Sequence, residues 1–377
     1  MKNLIYLPLE SYQERYTCQL SRAKTGWLER RWLEIGQPYI RIEGERLSDG
    51  IQTGSVLDAF GRGYWALEQV KQVLKFMQQG WITSDDAIYF DDFWHPGISA
   101  IPYAASLSGI KPKMYAMLHA QSVDEFDFTC NMFPWIRLFE QGTSMVLDGI
   151  FVTSTDLRDL CVQKGVGDKY SVHICGLPYN STEVKEHFPA KLPAKKRQVV
   201  FSSRWDWEKQ PEFFLKVAEY LSFVEPSIKL VISTSSNILR SNKPELLNLL
   251  NLYMQEHSNL DVRVAQTKEQ YYETLLESAV QFNCALQDWV SWTLLEATTC
   301  GCQPVYPNFR SFPECIPSGW LYTAWNEKEA GEKIIQLVNQ PLIGVEQIYK
   351  PFDNSWLRML NVMQGHGSYY SKEDWND

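Results

Sequence analysis

The chain has 377 residues, of which 45% are hydrophobic and 21% charged, enough to bury a core in two domains or in one large α/β domain and too apolar for a disordered chain. A formal net charge of −9 excludes a surface that is basic throughout, and no apolar run reaches the ~18 residues that span a bilayer. Eight cysteines are scattered, and the one close pair, Cys300 and Cys302, has no second pair or histidine beside it, which argues against a zinc site and a disulfide framework.

Residues 3–9 form a short apolar stretch that reads as a first strand rather than a signal peptide, so a reducing cytoplasm is the expected compartment. A segment of helical period follows over 12–35. Up to residue 31, six basic residues (Lys2, Arg15, Arg22, Lys24, Arg30, Arg31) stand against Glu10, Glu14 and Glu29: a local basic patch, or a solvated helix face of mixed charge. After Gly61 and Gly63, residues 65–79 repeat apolar side chains at helical spacing and stop at Gly80. Residues 87–90 suit a buried strand that runs into Asp91, Asp92, Phe93, Trp94 and His95. Further strands are expected at 113–118, ending at His119, and at 149–153 and 170–175.

From 176 to 197 the composition shifts to Pro178, Pro189 and Pro193 with Lys191, Lys195, Lys196 and Arg197, a linker signature. The alternation then restarts, with strands at 198–202, 228–233, 260–265, 280–285 and 303–306 and helices at 211–223, 246–256, 268–278 and 292–299. Strand and helix alternating in this way imply parallel sheets covered by helices on both faces. The expected fold class is α/β, two Rossmann-like halves in one chain.

The strongest chemical signal follows the strand 198–202, where Ser203, Arg204, Trp205, Asp206, Trp207, Glu208 and Lys209 lead into a helix. Two cations at a strand's carboxyl edge suit a diphosphate, because ligands bind at that edge in open α/β sheets. A helix-start ion pair is the alternative. Farther on, Asp288, Trp289, Val290, Ser291, Trp292 and Glu296 place two carboxylates on either side of a helix start, whose backbone N–H groups would point at an anion. In the first half, Asp91, Asp92, Trp94 and His95 follow a strand end and could serve an acceptor hydroxyl or be a solvated loop; they offer too few ligands for a metal. His119 alone reads as a structural histidine or a site residue.

These segments resemble the donor-binding domain of GT-B glycosyltransferases, in particular the large retaining family typified by sucrose synthases and bacterial glycan transferases. The family's GRxxxEKG segment is similar to Ser203-Arg204 through Lys209-Gln210, its E-x7-E and AxACGxPV segments to Asp288 through Val305, and its PE to Pro313-Glu314. Asp288 stands where the family has glutamate, Trp289 where it has glycine, and the double-glycine loop after the first strand is replaced by residues 10–15. The resemblance implies a GT-B fold with two Rossmann-like domains facing across a cleft: an acceptor domain at 1–178, completed by 354–377, a linker at 179–197 and a donor domain at 198–353. It implies a nucleotide-sugar co-substrate, UDP by default, transferred with retention and without a metal or other cofactor. Arg204, Lys209, His119 and Asp288 become the expected catalytic residues. Ser203, Trp289, Val290, Ser291, Trp292 and Glu296 become the donor-binding ones, with Glu296 on the ribose.

The stretches YLPLESYQERYT, FDDFWHPG and LHAQSVDEFDF also resemble glycosyltransferases of large tailed phages, which implies a hydroxymethylated pyrimidine in DNA as acceptor. No amphipathic segment suited to membrane docking is evident, and no membrane partner is expected. A glycan or small-molecule transferase, an epimerase or phosphorylase of the same shape, and a non-catalytic nucleotide-sugar-binding protein are the alternatives. The oligomeric state is left open.

Overall fold

The structure, a computed structural model, describes residues 3–11, 16–47, 60–127, 129–131, 134–340 and 344–365. Its two compact units are Met1–Tyr179 with Asn354–Asp377, and Asn180–Asp353.

The first unit runs β1 (Leu4–Leu7), α1 (Tyr16–Glu34), β2 (Tyr39–Arg41), α2 (Gly61–Gln78), β3 (Ala87–Phe90), α3 (Ala100–Ser108), β4 (Lys113–Met117), α4 (Ile136–Ser144), β5 (Gly149–Val152), α5 (Thr155–Gln163) and β6 (Val172–Ile174). Its sheet is six-stranded and parallel in the order β2-β1-β3-β4-β5-β6. Every residue of β1, β3 and β5 is buried, which is why these strands are continuous apolar runs rather than alternating ones. Helix α2 turns Trp65, Ala66, Val70, Val73 and Met77 inward. Ser154 caps α5 by accepting from the Leu157 N–H at 3.2 Å.

The second unit runs α6 (Ser181–Lys185), β7 (Lys196–Phe201), α7 (Pro211–Val224), β8 (Lys229–Ser233), α8 (Pro244–Glu256), β9 (Leu260–Arg263), α9 (Lys268–Glu277), β10 (Ser278–Phe282), α10 (Trp292–Thr299), β11 (Gln303–Pro307), α11 (Phe312–Cys315), β12 (Leu321–Tyr322), α12 (Glu327–Val338) and α13 (Glu346–Tyr349). Its strands are again parallel, ordered β12-β11-β10-β7-β8-β9. The order reverses direction between β7 and β10, and a crevice outside the carboxyl ends of two such strands is where open α/β sheets take ligands. The core packs Phe201, Trp205, Phe214, Phe282 and Val305 against α7 and α12.

The last helix, α14 (Ser355–Met363), belongs to the first unit. Trp356 stacks on Trp27 of α1 at 5.6 Å, and Arg358 donates to the Cys175 carbonyl at 3.3 Å. No helix among the described residues is long and apolar enough to cross a membrane.

Two readings of the sequence need correction here. The stretch read as linker contains α6 and the start of β7, and Lys195 within it donates to the carbonyls of Leu275 (3.0 Å) and Cys300 (2.8 Å), closing the ends of two helices. Lys24, counted as part of a basic patch, is fully buried. Of the other basic residues there, Arg22, Arg30 and Arg31 are described, while Lys2 and Arg15 lie outside the described residues.

Candidate functional site

At the β7–β10 reversal the chain stitches two loops together. After β7, the Glu208 carbonyl accepts from the Leu286 N–H at 2.8 Å and the Cys284 thiol approaches the Lys209 carbonyl at 3.3 Å, so the Arg204–Lys209 turn is tied to the loop that follows β10. The Lys209 ammonium is held by the Gln287 carbonyl and lies 3.1 Å from Asp288 Oδ1. Lysine and aspartate, 79 positions apart in sequence, thus meet at the strand ends. Arg204 is half exposed and binds Asp206 (2.8 Å) and the buried Glu208 (2.6 Å), so the ion pair weighed as the alternative is present and its exposed partner is the arginine. Glu208 is also reached by Asn242 Nδ2 at 3.3 Å.

Helix α10 opens beside this cluster. Ser291 occupies the N-cap position without capping through its side chain; its hydroxyl instead lies 2.9 Å from Thr293 Oγ1. Trp289 is buried, its ring stacked under the Arg310 guanidinium at 4.8 Å and its carbonyl taken by the Ser311 hydroxyl. Ser203, Val290 and Trp292 are half-buried. Near this sheet edge Trp289 Nε1 is buried without a hydrogen-bond partner, and the buried Tyr306 hydroxyl lies among Ser291, Gln281 and Thr293. Burial raises the Tyr306 phenol, which stays neutral and able to donate.

Glu296, two turns into α10, is only 2% exposed. Its Oε1 accepts from Lys268 Nζ at 2.6 Å and from the Tyr272 hydroxyl at 2.9 Å. Lys268, Tyr272, Gln281 and Tyr306 were not singled out from the sequence. A lysine at the first residue of α9, where the helix dipole favours acids, was the one available signal.

In the first unit, three of the four residues expected on an acceptor side are interior. Asp91 is 1% exposed and is bound by the Lys24 ammonium, by the Tyr6 hydroxyl at 2.9 Å and by the Tyr89 hydroxyl at 3.3 Å. Burial alone would raise its carboxyl, but the Lys24 charge and hydrogen bond outweigh burial and hold it below the usual range. Asp92 pairs with Arg62 at 2.9 Å. His95 Nε2 lies 3.1 Å from Gln69 Oε1, and Gln69 Nε2 already donates to the carbonyls of Pro8 and Ile42, so the imidazole proton sits on Nε2. Burial, aided by the Arg62 charge, pushes His95 down to about 3, so it is neutral. Trp94, half-buried, donates its indole N–H to Glu140 at 2.8 Å. These partners tie Asp91, Asp92 and His95 into a buried network, so the solvated-loop alternative fails. His119 lies two residues past the end of β4 with Nε2 3.0 Å from the Asp91 carbonyl; burial lowers its pKa although Asp92 and Asp91 pull the other way.

No family model matches the chain. A tRNA-queuosine alpha-mannosyltransferase of Drosophila melanogaster is 23% identical over 186 residues, which are 49% of this chain; the chain spans only 47% of that protein's length. Among solved structures, a glycosyltransferase from Rickettsia africae aligns with a TM-score of 0.62 at 12% identity, over 97% of this chain and 96% of that one. HepE of Anabaena in complex with UDP-glucose aligns with a TM-score of 0.58 at 11% identity, over 96% of this chain and 100% of that one. With two six-stranded parallel sheets in two units, these likenesses define the fold as GT-B, and the proteins that share it here are glycosyltransferases.

Proposed function

We propose that the chain is a glycosyltransferase that takes a sugar from a nucleotide-sugar donor bound at the β7–β10 reversal and passes it, with retention, to an acceptor hydroxyl. The observation that carries this reading is the meeting of Lys209 and Asp288 at 3.1 Å beside the start of α10. Support comes also from the structural relative solved with UDP-glucose and the curated relative that is a mannosyltransferase.

In this mechanism the bond between the sugar's anomeric carbon and the phosphate oxygen breaks, and its electron pair stays on the leaving diphosphate. The acceptor oxygen attacks from the same face, and its proton passes to a leaving-phosphate oxygen. Lys209 and Arg204 stabilise the charge that grows on that leaving group, with the α10 N–H groups beside them. Asp288 orients the sugar hydroxyls while its contact with Lys209 keeps the lysine aimed at the strand ends. No metal takes part, because the two cations occupy the role.

For the acceptor we favour a hydroxyl of a modified nucleoside in nucleic acid. The curated relative's activity on tRNA supports this class, as does the phage-like texture of the first half. The burial of Lys24 removes one basic residue from the argument for DNA and leaves Arg22, Arg30 and Arg31 to carry it. The test is a hydrolysis screen of UDP-, GDP- and ADP-sugars. It is followed by mass spectrometry of hydroxymethylated-pyrimidine DNA, tRNA and small glycans incubated with the accepted donor. A mass gain on a nucleic acid is expected. Transfer to glycans alone would refute the acceptor class and spare the transferase, whereas turnover of no donor would refute both.

A further inference from the structure

Resting on the nucleotide-sugar reading, we infer that Lys268 is itself a donor-binding residue whose ammonium, together with Glu296, holds the ribose diol. The Glu296 side chain is 2% exposed and that of Lys268 is 34% exposed, so the accessible member of the pair is the cation.

The helix does not account for this lysine. Helix α9 is already closed at its start by a reciprocal pair of bonds between Thr267 and Gln270, at 2.9 and 3.3 Å. A cation at the first helical residue opposes the dipole, so its position is set by what it touches. Its ammonium lies over the rings of Tyr271 (5.2 Å) and Tyr272 (5.1 Å), and the Tyr272 hydroxyl shares Glu296 Oε1 with it. Both rings and the carboxylate fix the charge in one place.

The chemistry of the pair matches a vicinal diol. A carboxylate only accepts hydrogen bonds and an ammonium only donates them, whereas each ribose hydroxyl does both. One hydroxyl can therefore donate to Glu296 while accepting from Lys268. The pair also carries no net charge, so the carboxylate does not repel a diphosphate bound at the start of the same helix.

The experiment is calorimetric titration of the full chain with UDP, GDP and ADP, then with the 2′-deoxy and 3′-deoxy forms of whichever binds. Wild type is expected to favour the ribonucleotide by about tenfold or more. Lys268→Met should weaken its binding by a similar factor and bring ribo and deoxy forms within about threefold of one another. Lys268→Arg should restore part of both, and Lys268→Gln, which keeps a donor to Glu296 and to a hydroxyl, should show an intermediate loss if Lys268→Met folds poorly. A merely structural lysine would change stability and leave the ribo preference intact. Lys268→Met that keeps wild-type affinity and preference overturns this assignment alone. Wild type that binds none of the three nucleotides overturns the donor-site reading as well.

Discussion

Lys24 lies on a helix whose neighbouring Arg22, Glu29 and Arg30 are exposed, yet its own ammonium is fully buried against Asp91. Its partner is 67 positions away on another element, so no local pattern in the sequence marks this lysine as interior. Removing one partner of such a pair leaves an uncompensated charge in the core. Asp91→Asn is expected to lower the unfolding free energy by about 3–5 kcal/mol, read from urea denaturation. A loss below about 1 kcal/mol would mean the pair is solvated. His95 supplies a pH dependence of known sign. Its folded pKa of about 3 lies below the unfolded 6.5, so as pH falls through 6.5 the unfolded chain gains a proton that the folded one refuses. Stability should drop toward pH 4 with a slope approaching about 1.4 kcal/mol per pH unit from this group. His95→Gln should flatten the curve by that amount, and parallel curves for the two proteins would disprove a neutral, buried imidazole.

Among the elements, the turn between β7 and α7 carries a local conflict. Gln210 sits at φ 51 and ψ 56, a left-handed conformation that side chains disfavour, at the position where the family-like segment has glycine. Gln210→Gly is expected to raise stability by up to about 1 kcal/mol, the relief of backbone strain exceeding the entropy glycine adds to the unfolded chain; a thermal melt measures it. A lowered melting temperature would show that the glutamine side chain is needed there. Most of the sheet was legible because strands buried on both faces print as apolar runs: 87–90, 113–118 and 149–153 were expected, and β3, β4 and β5 occupy them within a residue. Strands β2 and β12 escaped because three and two residues are too few to show a period. Of the helices longer than five residues, α3, α4, α5, α12 and α14 were not assigned.

Across the whole molecule, both sheets are parallel and change direction next to the strand that opens each unit, β1 in the first and β7 in the second. The Arg204–Lys209 and Asp288–Glu296 segments stood out in the sequence because their residue types and order suit an anion at a strand edge. What the sequence could not show was how their charges are paired, since Lys268 and Glu296 are 28 positions apart and meet only in the folded chain. If the cations take the role of a metal, donor turnover should persist in excess EDTA. Abolition by EDTA and rescue by magnesium or manganese would contradict the metal-free site. The most direct measurement of the central claim is the rate of sugar release from the accepted nucleotide sugar by wild type, Arg204→Ala and Lys209→Ala under the same conditions. The account predicts a fall of about a hundredfold or more for Lys209→Ala, as for loss of one preorganised donor to a developing charge, and a comparable fall for Arg204→Ala. Near-wild-type rates in both variants would contradict it.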